Sequence, residues 1–294
     1  MFEKENPRVV WTRGEGCAEL AEILGGERSE RVVGDIAETV LRHRADILVS
    51  RKLWNQDLVS QVVPVDFDPA SVRVVVAAVG GGPHSEMAAW LAKNLGNALG
   101  IRAFMVSAHR GEEDLEQVSG RVSLISERVP DLEAQIRQAV DIPDLINDLP
   151  QGSLLVMGAA GGGWVYRNLR GSGAKLLHNA AGGALVVRYC SERAFQRMTD
   201  PVFVGPFRTC GDVLRVHSDS LLAVVDRARL IGLVARSDLS ATPPETAVQQ
   251  IMREPDSVPM LATAEEVLAF RGTYGDVPVP VTGDNSILVG TITP

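Results

Sequence analysis

The sequence predicts an α/β protein with a parallel sheet, followed by a smaller α+β unit built from a repeat. Two observations predict it. From about Val72 to Arg188, unbroken apolar runs alternate with amphipathic stretches of helical length, as expected of strands covered on both faces by crossover helices. From about residue 199 to 294, short strands and helices recur in the order helix, strand, turn, strand, over Gly211–Ala235 and again over Thr263–Thr293. Such a repeat, roughly 50 residues long, is detected by order rather than identity, and units that cannot close a core alone pack as a pair.

The elements run in chain order. Residues 1–70 hold short apolar runs (Val9, Val10, Trp11) and one helix over Asp35–Leu48, where Ile36, Val40, Leu41, Ile47 and Leu48 follow a 3.6-residue period. This N-terminal extension carries no chemical motif and ends in VVPVDFDPAS, whose prolines read as a connector. The α/β domain, residues 71–190, opens with the strand VRVVVAAV (72–79), then GGG at 80–82, then a helix with Met87, Trp90, Leu91, Leu95 and Leu99 on one side. Ile101–Ser107 reads as a second strand, Arg121–Ile125 as a third and Asp131–Leu149 as a helix broken near Pro143. SLLVMG (153–158) is a further buried strand, followed by a glycine-rich loop, a helix near Ser172–Ala180 and a closing strand, Ala184–Arg188. In the last domain, residues 199–294, the strands are LLAVVD (221–226), LIGLVA (230–235) and ILVGTIT (287–293). Its helices are GDVLRV (211–216), PETAVQQIM (244–252) and TAEEVLAF (263–270).

Composition bounds the function. With 294 residues the chain can form about two domains, each able to bury a core. A balance of 29 basic against 37 acidic residues argues against a nucleic-acid partner, since phosphate backbones are held by clustered Lys and Arg. The sequence has no apolar run long enough for a membrane-spanning helix, and its start lacks the basic-then-apolar order of a secretory signal. Cys17, Cys190 and Cys210 are odd in number and widely spaced, which fits a reducing cytoplasm.

The most informative run is GAAGGGWVYRNLRGSGAKLL. Gly158, two residues, Gly161, nine residues, then Gly171-Ser172 is a defined spacing directly after a buried strand. Glycines at the carboxyl end of a parallel strand let backbone amides approach phosphate without a Cβ clash. Gly171-Ser172 then opens a helix whose unpaired N–H groups and dipole favour an anion, and the Ser172 hydroxyl can donate as well. Trp164, Tyr166, Arg167 and Arg170 in the same loop have the chemistry to stack on a base or meet phosphate.

Over about Val72–Arg188 the chain resembles the universal stress protein family, whose ATP-binding members carry Gly-x2-Gly-x9-Gly-Ser/Thr after the fourth strand. Met157 before the first glycine and the closing ALVVR fit as well. The resemblance implies a Rossmann-like layer, ATP or AMP as ligand, and homodimers. It assigns the phosphate cradle to Gly158, Gly161, Gly171 and Ser172, and the nucleoside edge to the ends of the first two strands, at Val79, Gly80 and Val106. Gly80 stands where nucleotide-binding relatives carry a carboxylate, so one nucleoside contact is missing.

IGLVARSDL (231–239) and LVGTITP (288–294) resemble the end-of-strand signatures of CBS domains, Gly, two apolar residues, Ser/Thr, two more, then Asp. Gly232, Leu233, Val234 and Asp238 fit, with Ala235 in place of the hydroxyl residue; Gly290 and Thr293 fit in the second copy. A tandem CBS pair holds adenosine-containing ligands in the cleft between repeats. The resemblance assigns Asp238 to ribose hydroxyls and Thr293 to sugar or phosphate, while a helix-capping role for Asp238 is the competing reading.

No catalytic constellation is present in the sequence. His43, His84, His109, His178 and His217 are scattered, and Ser85 has no Gly-x-Ser-x-Gly turn around it. The expectation is a cytoplasmic, non-catalytic sensor of adenine nucleotides, a homodimer with an unidentified protein partner. Two other readings stand beside it. One is an interaction module with vestigial sites, such as a soluble regulator of a transporter. The other is an ATP-hydrolysing enzyme, since GGGPHSE is loosely similar to the phosphate loop of ATP pyrophosphatases.

Overall fold

The computed structural model describes residues 6–139, 148–159 and 182–294. The chain divides into two units, Met1–Ser191 and Glu192–Pro294.

The first unit is built on one nine-stranded sheet. Its strands are β1 (Val9–Trp11), β2 (Ser29–Arg31), β3 (Ile47–Val49), β4 (Ser60–Val65), β5 (Val74–Ala78), β6 (Arg102–His109), β7 (Glu133–Gln138), β8 (Ser153–Gly158) and β9 (Ala184–Arg188), in the spatial order β2-β1-β3-β4-β9-β8-β5-β6-β7. Every neighbouring pair is parallel except β4 with β9, which run antiparallel with Val63 opposite Val186. Two parallel half-sheets therefore meet at this one antiparallel join, with β5 at the centre of the larger half.

Helices α1 (Cys17–Gly25), α3 (Pro83–Leu99) and α4 (Glu112–Arg128) place Leu20, Leu91, Leu95, Val118, Val122 and Ile125 on one face of this sheet, against Val75, Ala77, Val156 and Leu185. The alternate residues of the same strands, Val74, Val76, Phe104, Leu155 and Val186, form a second core on the other face. Burial on both faces is why these strands read as unbroken apolar runs.

Several elements differ from the sequence reading. Residues 1–70 supply four strands of the main sheet and share a unit with the α/β residues after them, although their sequence sets them apart. The proline-bearing run is mostly strand β4. Its Pro64 is tolerated because β3 pairs only with Ser60–Val62, so the missing N–H falls beyond that ladder.

The helix expected over Asp35–Leu48 is only α2 (Ile36–Arg42), capped by the Asp35 carboxylate accepting from the Glu38 amide at 2.9 Å. The chain turns at Arg44 (φ 50°), and Ile47 and Leu48 are buried in β3. Arg121–Ile125 is helical, part of α4, because Val118, Val122 and Ile125 fall on one helical face. The third strand is instead β7, inside the stretch read as helix. It is a polar edge strand, fixed by the Arg102 guanidinium on both Glu133 carboxylate oxygens at 2.7 Å.

The second unit contains two three-stranded sheets, β10 (Phe203–Val204), β11 (Leu221–Asp226) and β12 (Arg229–Ala235), and β13 (Val258–Pro259), β14 (Val279–Thr282) and β15 (Leu288–Ile292). In each, the first pair is parallel, the second antiparallel, and the bulge follows Val224 or Val281. Short helix α5 (Ala194–Arg197) opens the unit. Helix α6 (Cys210–Val216) is capped by Thr209, α7 (Arg236–Ala241) is short, and α8 (Ala264–Tyr274) is capped by Thr263, 54 residues after Thr209. The helix expected over 244–252 is only a 3-10 turn at Val248–Gln250, because its flanks are committed elsewhere.

That commitment is reciprocal. The segment before the first repeat bonds to the second: Ala194 N–H to Ala262 O (2.9 Å), Phe195 N–H to Met260 O (2.9 Å) and Thr199 N–H to Thr291 O (2.8 Å). The segment before the second repeat bonds in the same way to the first: Val248 N–H to Arg208 O (2.9 Å), Gln249 N–H to Pro206 O (3.0 Å) and Arg253 N–H to Leu233 O (2.8 Å). Each donor pair is again 54 residues apart. The repeat seen in the sequence is thus a pair whose flanking segments are exchanged.

Candidate functional site

In an open parallel sheet, ligands settle beyond the carboxyl ends of the strands where the strand order reverses. In the β7-β6-β5-β8-β9 half that point lies between β5 and β8. Strand β5 leads through Val79 and Gly80-Gly81-Gly82 into α3, whose first residue is Pro83. Gly81 and Gly82 have φ of 100° and 79°, a backbone that L side chains rarely adopt, which explains why this turn is glycine.

The turn is held by a backbone bond to β6 and by neighbouring side chains. Val79 N–H donates to Val106 O (2.9 Å), and the Ser107 hydroxyl donates to Val79 O (2.8 Å). Gly80 N–H donates to Ser85 Oγ (3.1 Å), and that hydroxyl donates to Gly81 O (3.0 Å). Arg121 Nη1 donates to Gly80 O (3.2 Å), which brings a guanidinium to the triple-glycine turn. Ser85 is therefore a turn-holding residue, a role that its sequence neighbourhood did not reveal.

Of the predicted contacts here, Gly80 is exposed with no heavy atom within 4 Å of where a Cβ would stand. Val79 and Val106 are buried side chains that meet through their backbones. Gly158 ends β8, and a Cβ on it would lie 2.9 Å from His84 Cβ, so close packing of β8 on the first turn of α3 requires glycine there. His84 Nδ1 accepts from Tyr189 N–H (2.9 Å). Burial, then the nearby Arg188 charge, holds its pKa below the ordinary histidine value, with Asp57 opposing. Gly161, Gly171 and Ser172, with Trp164, Tyr166, Arg167, Arg170, His178 and the helix expected at Ser172–Ala180, lie outside the described residues.

In the second unit Asp238 sits in the first turn of α7, whose cap is Ala235, so the carboxylate does not cap that helix. Instead Asp238 Oδ2 accepts from both Arg253 Nε (3.1 Å) and Nη2 (2.7 Å). Arg253 belongs to the exchanged segment, so this ion pair ties the flank of the second repeat to the signature of the first. Thr293 is exposed, and its carbonyl accepts from Arg271 Nη2 (2.7 Å). Arg253 and Arg271 were not singled out by the sequence; only knowledge of the exchange places Arg253 beside the first signature.

Gly232 and Gly290 have a packing reason. A Cβ on Gly232 would lie 2.8 Å from Arg253 O and from Met252 Sδ; on Gly290 it would lie 2.8 Å from Thr199 O and 2.6 Å from Met198 Sδ. Both glycines admit the exchanged strand. Among the described residues no group of three or more His, Cys, Asp or Glu is arranged to hold a metal ion, and no helix is long and apolar enough to cross a membrane.

No family profile and no curated protein matches this chain by sequence. Among solved structures it is similar to the cytosolic domain of the Mg2+ channel MgtE in complex with ATP, at 30% identity over 34% of this chain and 45% of that one, TM-score 0.31. It is similar to CBSX2 in complex with AMP, at 21% identity over 34% of this chain and 89% of that one, TM-score 0.31. A CBS domain pair/ACT domain protein from Thermotoga maritima matches at 20% identity over 34% of this chain and 88% of that one, TM-score 0.32. The chain spans 45% of the MgtE domain that it matches.

Proposed function

We propose that this chain is a non-catalytic regulatory protein that binds adenine nucleotides, with a universal-stress-like α/β unit followed by a CBS pair. The observation that carries the reading is the strand-order reversal at β5 and β8, with a triple-glycine turn entering α3 beside it. ATP is the ligand proposed for this crevice, its phosphates taken by the loop from Gly158 through Gly161 to Gly171 and Ser172. The exchanged flanks of the C-terminal pair support the regulatory half of the reading. An adenosine ligand that takes Asp238 must compete with or share Arg253, and would thereby act on the segment leading into the second repeat. Such a ligand shifts an arrangement only by its differential affinity for the two states.

Thermal unfolding with and without ATP or AMP tests the proposal, because a ligand of the native state raises the Tm. ATP is expected to raise it, Gly171→Asp to abolish that rise, and Asp238→Ala to leave it intact while weakening AMP binding. No shift with either nucleotide would overturn the reading. A second reading, an interaction module with vestigial sites, is favoured by one observation: the carboxylate expected to meet ribose is already paired with Arg253. Silence in the nucleotide assays together with a co-purifying protein would support it.

A further inference from the structure

The smaller half-sheet has a strand-order reversal of its own. From β1 the chain crosses through α1 to β2 on one side, then returns through α2 to β3 on the other, all three strands being parallel. The carboxyl ends of β1 and β3 therefore flank a second point of the kind at which open sheets hold ligands. Residues 12–16 (TRGEG) lead from β1 into α1 there, and residues 50–52 (SRK) follow β3.

Two guanidinium groups stand at this edge, one from each strand beside β1. Trp11 is opposite Arg31 of β2 and Val49 of β3, so the three side chains share one sheet face, the one that α1 covers. Arg31 lies over the Trp11 ring, 5.8 Å from its centroid, and its Nε is shut off from solvent with no hydrogen-bond partner among the described residues. A buried donor left unpaired is costly, and an oxygen of a bound anion would satisfy it. From the other side Arg51, two residues after Val49, lies across the turn into α1. A Cβ on Gly14 would stand 2.2 Å from its Cγ and 2.6 Å from its Cδ. Burial pushes the thiol of Cys17, the first residue of α1, up to about 11, and the Arg51 charge opposes that shift, in keeping with a guanidinium near the first turn of the helix. Neither Arg31 nor Arg51 pairs with a carboxylate among the described residues.

We propose that the carboxyl edge of β2, β1 and β3 is an anion site, which takes the phosphate end of a phosphorylated small molecule between Arg31 and Arg51. Each guanidinium can donate two N–H groups to phosphate oxygens, a geometry that an ammonium does not offer. The site uses none of the residues assigned to the crevice at β5 and β8, so the inference stands apart from the nucleotide reading. Isothermal titration calorimetry of the full chain with inorganic pyrophosphate, which carries neither base nor sugar, tests it. The expected result is binding that Arg51→Gln and Arg31→Gln each weaken by about tenfold or more in Kd, and that Gly171→Asp leaves within about twofold of the wild type. Arg51 is exposed, so its variant keeps the test valid should Arg31→Gln disturb the packing on Trp11, with near-UV circular dichroism as the check of folding. A wild-type chain that binds no pyrophosphate, or an Arg51→Gln variant that binds it as tightly as the wild type, would overturn the proposal. Binding lost in Gly171→Asp but kept in Arg51→Gln would overturn it too, and would assign the anion to the larger half-sheet.

Discussion

His84 accepts the Tyr189 amide at Nδ1 and packs its Cβ against the end of β8, so the fold requires an unprotonated Nδ1. Its pKa is held below the ordinary 6.5 by burial first and by Arg188 second. The unfolded chain therefore binds a proton that the folded chain resists. His84's contribution to stability is complete above about pH 6.5 and is lost as pH falls through the interval down to the folded value. Urea midpoints between pH 5 and 7.5 should slope downward toward acid for the wild type. His84→Asn, which can still accept from the amide but does not titrate, is expected to flatten that part of the slope; an unchanged slope would assign it to other groups. Gly158 beside it was legible as a special glycine, but its described environment is one of packing against α3.

At the scale of elements, the exchanged flanks make a matched pair of predictions. Gly232→Ala and Gly290→Ala each drive a Cβ into a partner carbonyl at 2.8 Å and a methionine sulfur. Each should cost about 1–3 kcal/mol, and by similar amounts, since the two environments are equivalent. Equilibrium urea unfolding checks both; a large cost at one and none at the other would show that the two repeats are not held alike. The sequence marked both glycines through the CBS resemblance, but not why glycine is needed. The reason lies in Met198–Thr199 and Met252–Arg253, segments that precede their own repeats and pack on the other. No local pattern encodes a partner of that separation.

For the whole molecule, the join between β4 and β9 decides how much chain the α/β unit needs. Removing residues 1–70 uncovers β9, a strand buried along four of its five residues, and leaves an apolar edge. The truncated chain is expected to aggregate or to melt well below the full-length protein, read by light scattering and by thermal unfolding. A truncated chain that stays monodisperse with unchanged Tm would mean that the N-terminal half-sheet contributes nothing to the rest.

The sequence by itself determined the elements whose signal is local. Buried strands such as Ser153–Gly158, Ala184–Arg188 and Leu221–Asp226 are unbroken apolar runs, and two-face burial leaves that mark in any order of assembly. The tertiary structure alone decided what depends on distant neighbours. Polar β7 is a strand because β6 pairs with it at an edge. Pro64 sits in a strand because its neighbour's ladder ends first, and Asp238 is engaged because Arg253 arrives from an exchanged segment. Periodicity reports which faces are buried; hydrogen-bond partners across the fold are set by chain topology, which one residue's neighbours in sequence do not carry.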